Sequence, residues 1–508
     1  MRFARILIAA CLFALPLAPA WGGGPKVDPA ARPAPARVLH VLNRLAFGPT
    51  IDDFRHVEAI GVERYIAEQL DPAAIAEPIE LRFHLAQLDT LDLDAARLRQ
   101  LYGPLRPVLG VRPTPEEQKA QAQRARIVVE QAQAARVYRA VLSRRQLQEV
   151  MVEFWFNHFN VFDNKGLDRV WVGNFEEQAI RPYALGHFRD LLFAVAKHPA
   201  MLVYLDNTLS SAPGSRGARG DKSGLNENFG REVMELHTLG VNGGYTQADV
   251  ITLARVFTGW TIDPPGRRDA PDATAVFVAA RHDFSPKVFL GSPLRASGKA
   301  EGEEALGRLA KSPATARHIA FELAQYFVAD APQPGLVDRL AARFLATDGD
   351  IRAVLKGLFA SPEFWASAGR KYKTPYEFVI SAVRAAGIPL NNPRPLLAAM
   401  NQLGMPLFGC QTPDGYKNTE AAWLSPDATL RRVSFAVELA NGGLRINGAG
   451  NAGLAVALPP PPPVAAKLDQ LDEMLGPILT SQTRKVVAAA PPGSRAALIL
   501  GSPDFMRR

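Results

Sequence analysis

The chain has 508 residues, a formal net charge of +8, 47% hydrophobic residues and 21% charged residues. This length exceeds one ordinary hydrophobic core, so we expect two or three packed subdomains, and the composition excludes a disordered chain. The only two cysteines, Cys11 and Cys410, exclude a cysteine-based zinc site. The positive charge fits contact with anionic glycans, lipid head groups or cell-wall polymers, or simply a solvated basic surface. Zinc-finger and RNP-type motifs are absent, so nucleic acid is not expected as a partner.

The N-terminus predicts a secretory signal peptide over residues 1–20. Arg2 and Arg5 flank the start of the apolar run ILIAACLFALPLA, and the Ala-Pro-Ala sequence ending at Ala20 fits a signal peptidase cleavage site. Later segments are too short or too polar to span a membrane. We therefore expect a mature protein that is soluble, without a transmembrane segment, and periplasmic or secreted.

Composition divides the rest of the chain into four segments. Residues 21–37 are rich in Gly, Pro and Ala and predict a linker. A helical main domain is expected over 38–458, with two possible subdomains meeting near 200–225. The polyproline run 459–463 predicts a semi-rigid spacer before a C-terminal helical segment, 464–508.

Helix signals dominate the main domain. The sequence TPEE at 114–117 combines an N-cap, a proline and a capping-box glutamate, and predicts a long helix to about Leu142. The sequence SPD at 425–427 begins another helix, which Asn441 and the glycines after it end. Strand signals are few, and the best, over 274–291, predicts a small β-hairpin or an extended excursion. The expected fold is therefore a mainly α, multi-helix bundle.

A polar helix face follows the Gly/Ser-rich, basic segment 210–224. On a helix, Asn228, Arg231, Glu232 and Glu235 fall within a sector of about 100°. One hypothesis makes Glu232 and Glu235 a catalytic carboxylate pair, in which one carboxyl is held protonated by the other and acts as a general acid. Asn228 and Arg231 would then bind substrate. The alternative, an ion-paired network that only fixes helix packing, stays open.

A second polar group lies on predicted irregular backbone. His282 and Asp283 precede Lys287, and loops of this kind carry function more often than helix interiors do. The hypothesis places the site where the 224–260 hairpin, ending at Trp260, meets the 274–291 excursion. His282 would assist catalysis, Asp283 and Trp260 would bind substrate, and Lys287 would hold an anionic group together with Arg231.

Asp414 and Tyr416 lie in a predicted polar turn shortly before Trp423. An exposed Tyr/Trp pair could stack on a sugar ring, and both turn residues are candidate substrate-binding groups; a core tryptophan is the alternative.

An aromatic helix over 151–162 is predicted to be buried. His158 lies among its aromatic residues, where a core histidine with satisfied hydrogen bonds is the commoner outcome. Glu153, Asn157 and Asn160 form a narrow polar stripe that needs partners if it is buried. An arginine from another helix is the expected partner.

Several familiar motifs are missing from the chain. It has no Gly-x-Ser-x-Gly elbow, Walker loop, His-Glu-x-x-His sequence or convincing dinucleotide fingerprint. No metal ligands are predicted, and the cofactor, if there is one, is unknown.

Stretches in order from about residue 38 to the C-terminus resemble a bacterial family called domain of unknown function 1800. They include LNRLAFGPT, EFWFNHFNVF, GLNENFGREVMELHTLGVNGGYTQADVITLARVFTGW, HDFSPKVFLG and PDGYKNTEAAWLSPDATLRR. The resemblance implies an exported protein, often encoded beside a sulfatase-like family, domain of unknown function 1501, which would be a partner. Ser312 and Glu322 stand where the family more typically has His and Lys. The resemblance supplies no catalytic residue.

Two functional hypotheses follow from the sequence. The first is a hydrolase-like enzyme that acts on a glycan or another cell-envelope polymer through the Glu232–Glu235 pair. The second is a non-catalytic assembly or export partner of a sulfatase-like exported protein. A deep cleft lined by the polar residues would favour the first, and a broad exposed apolar face would favour the second.

Overall fold

The computed structural model describes residues 34–104, 114–215, 224–262, 275–448 and 464–508. The predicted signal peptide, most of the linker, the polyproline spacer and most of the basic segment 210–224 lie outside the described residues.

Helices make up most of the described chain. They are α1 Ala34–Leu45, α2 Ile51–Ile60, α3 Val62–Leu70, α4 Ile79–Leu85, α5 Ala95–Tyr102, α6 Pro115–Leu142, α7 Gln146–His158, α8 Asp168–Phe175, α9 Phe188–Lys197, α10 Pro199–Tyr204, α11 Asn228–Glu235, α12 Gln247–Val256, α13 Lys299–Ala310, α14 Pro313–Phe327, α15 Pro334–Ala346, α16 Ile351–Phe359, α17 Pro362–Ala366, α18 Pro375–Ala386, α19 Arg394–Gln402, α20 Glu420–Trp423, α21 Pro426–Ala440, α22 Leu468–Leu475, α23 Ser481–Ala489 and α24 Pro492–Leu500.

The strands form two small antiparallel sheets. They are β1 Trp260–Ile262 with β2 Ala275–Phe277, and β3 Val288–Phe289 with β4 Ser292–Pro293. The predicted 274–291 excursion thus joins two sheets, one at each of its ends, and carries a 3-10 turn at Ala279–Arg281 between them. The expected mainly α fold with small hairpins is confirmed.

Capping residues set the helix boundaries as the sequence predicts. The Thr114 hydroxyl accepts from the Glu117 amide, and the Glu117 carboxylate accepts from the Thr114 amide, which completes the predicted capping box of α6. Thr246 and Asp249 begin α12 in the same way. Each box satisfies amide groups that the first helical turn leaves without partners.

The aromatic helix α7 runs through the hydrophobic core. Trp155 is fully buried and its indole donates to the Ala184 carbonyl at 2.9 Å. The C-terminal helix α24 packs on α21, and Tyr372 forms a β-bridge with Arg507, so the last residues are part of the same packed unit. The helix α1 begins at Ala34, inside the segment predicted as a linker.

Two predictions from composition concern membrane-spanning segments and disulfide bonds. Within them, no helix combines the length and the apolar character needed to cross a bilayer. Cys410 is buried and its thiol is free, so it forms no disulfide with another described residue.

Candidate functional site

A polar cavity of about 180 Å³ lies between α7 and α14. Residues four positions apart share one helix face, so α7 presents Glu153 with Asn157, and Phe154 with His158. The facing stripe of α14 has the same spacing. The lining residues are Glu153, Phe154, Asn157, His158, Leu236, His318, Glu322, Gln325, Tyr326, Thr374, Met405, Asp414, Tyr416, Lys417 and Asn418.

The segment 405–418 closes one side of the cavity, and α7 holds it in place. The Asn157 side chain accepts from the Tyr416 amide at 2.8 Å and donates to the Tyr416 carbonyl at 2.9 Å. Asn160 donates to the backbone of the same segment. Gly415 makes this approach possible, because a Cβ there would lie 2.3 Å from the Asn157 carbonyl oxygen. Asn157 and Asn160 of the predicted polar stripe therefore bond to a loop rather than to an arginine.

Glu153 is a buried acid on the cavity wall. It is 7% exposed, and the Tyr326 hydroxyl donates to its carboxyl at 2.9 Å. Burial raises the pKa of Glu153 to about 7, although the positive charge of Arg136 opposes the shift. At neutral pH this carboxyl is therefore poised between its protonated and ionised forms.

His158 and Glu322 form an ion pair across the cavity. His158 Nδ1 lies 2.6 Å from the Glu322 carboxylate, and His158 Nε2 lies 3.3 Å from the His237 carbonyl oxygen. Both ring nitrogens of His158 therefore face oxygen atoms of the protein. The prediction of a buried histidine among aromatic residues is confirmed, but this ring also borders the cavity.

The surroundings of Glu322 stabilise its ionised form. Burial alone would raise the pKa of this carboxyl, but the charge and hydrogen bond of His158, with a smaller contribution from His318, lower it below its usual value. Burial and the two neighbouring rings depress the pKa of His237, so that ring is neutral. The cavity thus combines an ionised carboxylate with the buried acid Glu153.

The carboxylates predicted to be catalytic lie on α11, beside the cavity. Burial and the charge of Glu235 raise the pKa of Glu232, and Asp414, which lines the cavity, contributes to the shift. Arg231 pairs instead with Glu227 at 3.2 Å and with Glu235 at 3.3 Å. The two predicted carboxylates are thus neighbours, but the adjacent Arg231 is already paired with Glu227 and Glu235.

Asn228, a predicted substrate-binding residue at the start of α11, is exposed to solvent. Its side-chain amide donates to the Leu205 carbonyl at 3.3 Å. This contact ties the helix start to the segment that follows α10.

The second predicted group forms a separate buried cluster, which we call the Glu301 cluster. His282 Nε2 and Lys287 Nζ lie 3.3 Å and 2.9 Å from the Glu301 carboxylate, and neither side chain is exposed. Asp283 pairs with Arg255 at 2.7 Å. Burial would raise the pKa of Asp283, but hydrogen bonds from Arg255 and Ser285 hold it below its usual range. The 274–291 excursion does meet the hairpin, and its residues His282, Asp283 and Lys287 are paired within the protein.

Three other predicted residues have distinct surroundings. Trp260 is 4% exposed and packs its indole against Gly302. Asp414 and Tyr416 both line the cavity, and Asp414 pairs with Lys417. Trp423 is half-buried, and its ring centre lies 6.0 Å from that of Tyr416. Of the residues predicted to bind substrate or to be catalytic, Asp414 and Tyr416 of the polar turn line the cavity directly.

Sequence reasoning missed the contribution of α14. His318, Glu322 and Tyr326 recur every four residues, so they share one helix face, and all three line the cavity. That spacing of polar groups on an otherwise apolar helix is the signal that could have found them.

Within the described residues, no group of three or more His, Cys, Asp or Glu side chains is arranged to hold a metal ion. A helical fold with a cavity of this kind defines a class of architecture and not an activity. The chain belongs to the family described as "Protein of unknown function (DUF1800)", whose family model matches residues 40–507. Searches among curated proteins and among solved structures gave no match.

Proposed function

We propose that the protein is an acid–base hydrolase that acts on a glycan or another cell-envelope polymer, with the α7–α14 cavity as its active site. One observation carries the proposal: Glu153 and Glu322 line the same cavity, and their surroundings move their pKa values in opposite directions. Two carboxyl groups separated in this way supply the acid and the ionised partner that hydrolysis of an acetal or ester bond needs.

In this proposal Glu153 is the general acid. Its protonated carboxyl donates a proton to the leaving oxygen of the bond that breaks. Glu322 accepts a proton from the water that attacks, and the nearby His158 orients the carboxylate and stabilises its charge. Glu232 and Glu235, the pair that the sequence suggested, lie next to Asp414 and would border the polymer outside the cavity.

The test measures release of fragments from envelope polymers. Purified protein is incubated with isolated cell-wall and outer-membrane polysaccharide fractions, and new reducing ends and soluble fragments are measured by mass spectrometry. We expect release by the unmodified protein and a loss of at least about a hundredfold in Glu153→Gln, since general acid catalysis contributes factors of that size.

The matched control is Asp338→Asn, which neutralises an exposed carboxylate paired with Arg317 on the surface. It should release fragments at the unmodified rate. No release from any fraction, or equal release by Glu153→Gln, would defeat the proposed activity.

The proposal includes export, because an envelope polymer lies outside the cytoplasm. It rests on the signal-like sequence of residues 1–20. Sequencing the N-terminus of protein isolated from the periplasm or medium should show cleavage after Ala20. A product that still begins at Met1 would contradict it.

The second candidate function is assembly with a sulfatase-like exported protein. Ile79 and Phe83, one helical turn apart on α4, are 77% and 65% exposed, and apolar side chains grouped in this way favour a protein contact. Co-expression followed by purification should recover a complex that Phe83→Ser weakens. Co-purification that this change leaves intact would reject α4 as the contact surface.

A further inference from the structure

Five hydrogen-bond donors on the cavity wall are already occupied. Their acceptors belong to the protein itself: Asn157 Nδ2 donates to Tyr416 O, Gln325 Nε2 to Asp330 O, Tyr326 Oη to Glu153 Oε2, Tyr416 Oη to Pro406 O and Lys417 Nζ to Asp414 Oδ2. A ligand that offers an acceptor to one of these five groups would compete with a hydrogen bond inside the protein.

Acceptors, in contrast, remain free on the cavity wall. The Oδ1 atom of Asn418 is buried and accepts no hydrogen bond from the described residues. A carboxylate can accept about four hydrogen bonds. The close partner of Glu322 is His158, while His318 lies 3.6 Å away. The cavity is therefore built to receive donors.

The charges of the cavity are balanced in pairs. His158 is paired with Glu322, and Lys417 is paired with Asp414. Burial raises the pKa of Glu153 to about 7, so this carboxyl carries less than a full negative charge at neutral pH. An anionic ligand would find no free cation on the wall, and a buried charge without a partner is costly. Arg231 and Lys287, which the sequence suggested as anion-binding groups, are also paired with carboxylates.

We infer that the cavity binds a neutral, hydroxyl-rich saccharide unit and discriminates against an anionic one. Hydroxyl groups can donate to Asn418 and Glu322 without adding charge. The volume of about 180 Å³ suits a single ring, since an apolar cavity of ~150 Å³ holds a benzene molecule. The inference rests on the proposed function and names the substrate class for the same site.

The experiment compares three methyl glycosides that differ in charge. Methyl glucoside, methyl glucuronide and methyl glucosaminide are titrated into the purified protein, and binding is followed by ligand-observed NMR and calorimetry. We expect the glucoside to bind and the glucuronide to bind at least about tenfold more weakly, because its carboxylate has no partner. This readout needs no turnover.

Two variants at one ion pair sharpen the test. Glu322→Gln removes a carboxylate that repels an anionic ligand, so affinity for the glucuronide should rise relative to the glucoside. His158→Gln leaves Glu322 as an unpaired anion, so affinity for the glucosaminide should rise instead. Melting curves establish that each variant is folded, and either one alone can reveal the expected change in preference.

Tighter binding of the glucuronide than of the glucoside, or no binding of any of the three, would overturn the inference. So would a folded variant whose preference does not change. Fragment release from polymers is measured separately, so release without glycoside preference would defeat the saccharide inference and leave the hydrolase proposal standing. Glucoside binding without any fragment release would support the saccharide inference and defeat the hydrolase proposal.

Discussion

The cavity and the Glu301 cluster contain the same kinds of side chain in different settings. Both pair a histidine with a glutamate, and both include a lysine close to a carboxylate. In the Glu301 cluster the lysine and histidine side chains are closed off from solvent and bound to fixed partners. In the cavity, Glu322 is 29% exposed and borders open space. Residue type alone therefore does not identify a site; space beside the reactive group does.

The comparison implies that a charge change should have different consequences in the two regions. In the Glu301 cluster it should damage folding, because each charge neutralises another inside the protein. In the cavity it should change chemistry and pH dependence, with less effect on folding. Four predictions test this difference, in order of decreasing effect on stability.

The largest effect is expected for Glu301→Gln. The substitution leaves the Lys287 ammonium, which has no exposed side-chain surface, without a charged partner. Breaking a buried pair in this way costs about 3–5 kcal/mol. Chemical denaturation at pH 7 measures the loss. Glu303→Gln is the control on the same helix, since Glu303 and its partner Lys197 are more than a third exposed, and it should cost less than about 1 kcal/mol. Equal losses of stability in Glu301→Gln and Glu303→Gln would contradict the expected difference between a buried and an exposed ion pair.

The second effect concerns Glu153→Gln and pH. The folded-state pKa of about 7 exceeds the ordinary value of 4.5, so the protonated carboxyl stabilises the fold below pH 4.5. That stabilisation is lost as the pH rises through 7, and its total size is about 3 kcal/mol for a shift of this size. Arg136, Glu377, Tyr326 and Arg508 are the charged and titratable neighbours.

Glutamine stays neutral at every pH, so this loss should vanish in the variant. We expect Glu153→Gln and the unmodified protein to have similar unfolding free energies near pH 4.5. The variant should become the more stable of the two by pH 8. Denaturation curves at half-unit intervals of pH measure the difference. A difference in unfolding free energy that stays constant across this pH range would show that Glu153 does not titrate there.

The third effect concerns the loop that closes the cavity. Gly415 has φ +63°, and a Cβ there would lie 2.3 Å from the Asn157 carbonyl. Gly404, in the preceding turn, has φ +85° with nothing within 4 Å of its Cβ. Gly404→Ala therefore measures the cost of the backbone conformation alone. Gly415→Ala should cost about 1–3 kcal/mol more, and should also abolish glycoside binding. Equal costs with intact binding would contradict the packing seen at Asn157.

Local signals in the sequence predicted much of the fold. The capping box at Thr114 forms as expected, because it depends on contacts within four residues, and a second box forms at Thr246. Ser143 shows the limit of such local signals: it ends α6, and α7 begins after Arg145. A serine can end one helix or begin the next, and packing against other helices decides between them.

The site was harder to predict because it depends on distant contacts. Glu153 and Tyr326 are 173 residues apart, and Asn157 and Tyr416 are 259 apart. Within its own helix, Glu153 looked like one member of a stripe that needed partners. The charged residues of α11 were predicted to form a site because they are neighbours in sequence. The same closeness lets Arg231 form ion pairs with Glu227 and Glu235. Closeness along the chain therefore led the sequence-based prediction to the ion pairs around α11 and away from the cavity, which is built from residues distant in sequence.

The smallest predicted effect separates the two carboxylates of α11. Arg231 contacts Glu227 and Glu235 rather than Glu232. Burial and Glu235 raise the pKa of Glu232, so its ionised form opposes folding at neutral pH, and removing that charge should stabilise the protein slightly. Glu235→Gln removes a helical ion pair with Arg231 and should cost about 0.2–0.5 kcal/mol.

The two variants should therefore shift the unfolding free energy in opposite directions. Both groups are partly exposed, so salt should weaken both shifts, and measurements at 20 mM and 500 mM salt check this, because the screening length falls from roughly 20 Å to 4 Å over that range. Destabilisation by Glu232→Gln would mean that Glu232 has a cationic partner in solution. In that case the face of α11 would resemble the Glu301 cluster more than the cavity, and its role would be to hold the helix in place.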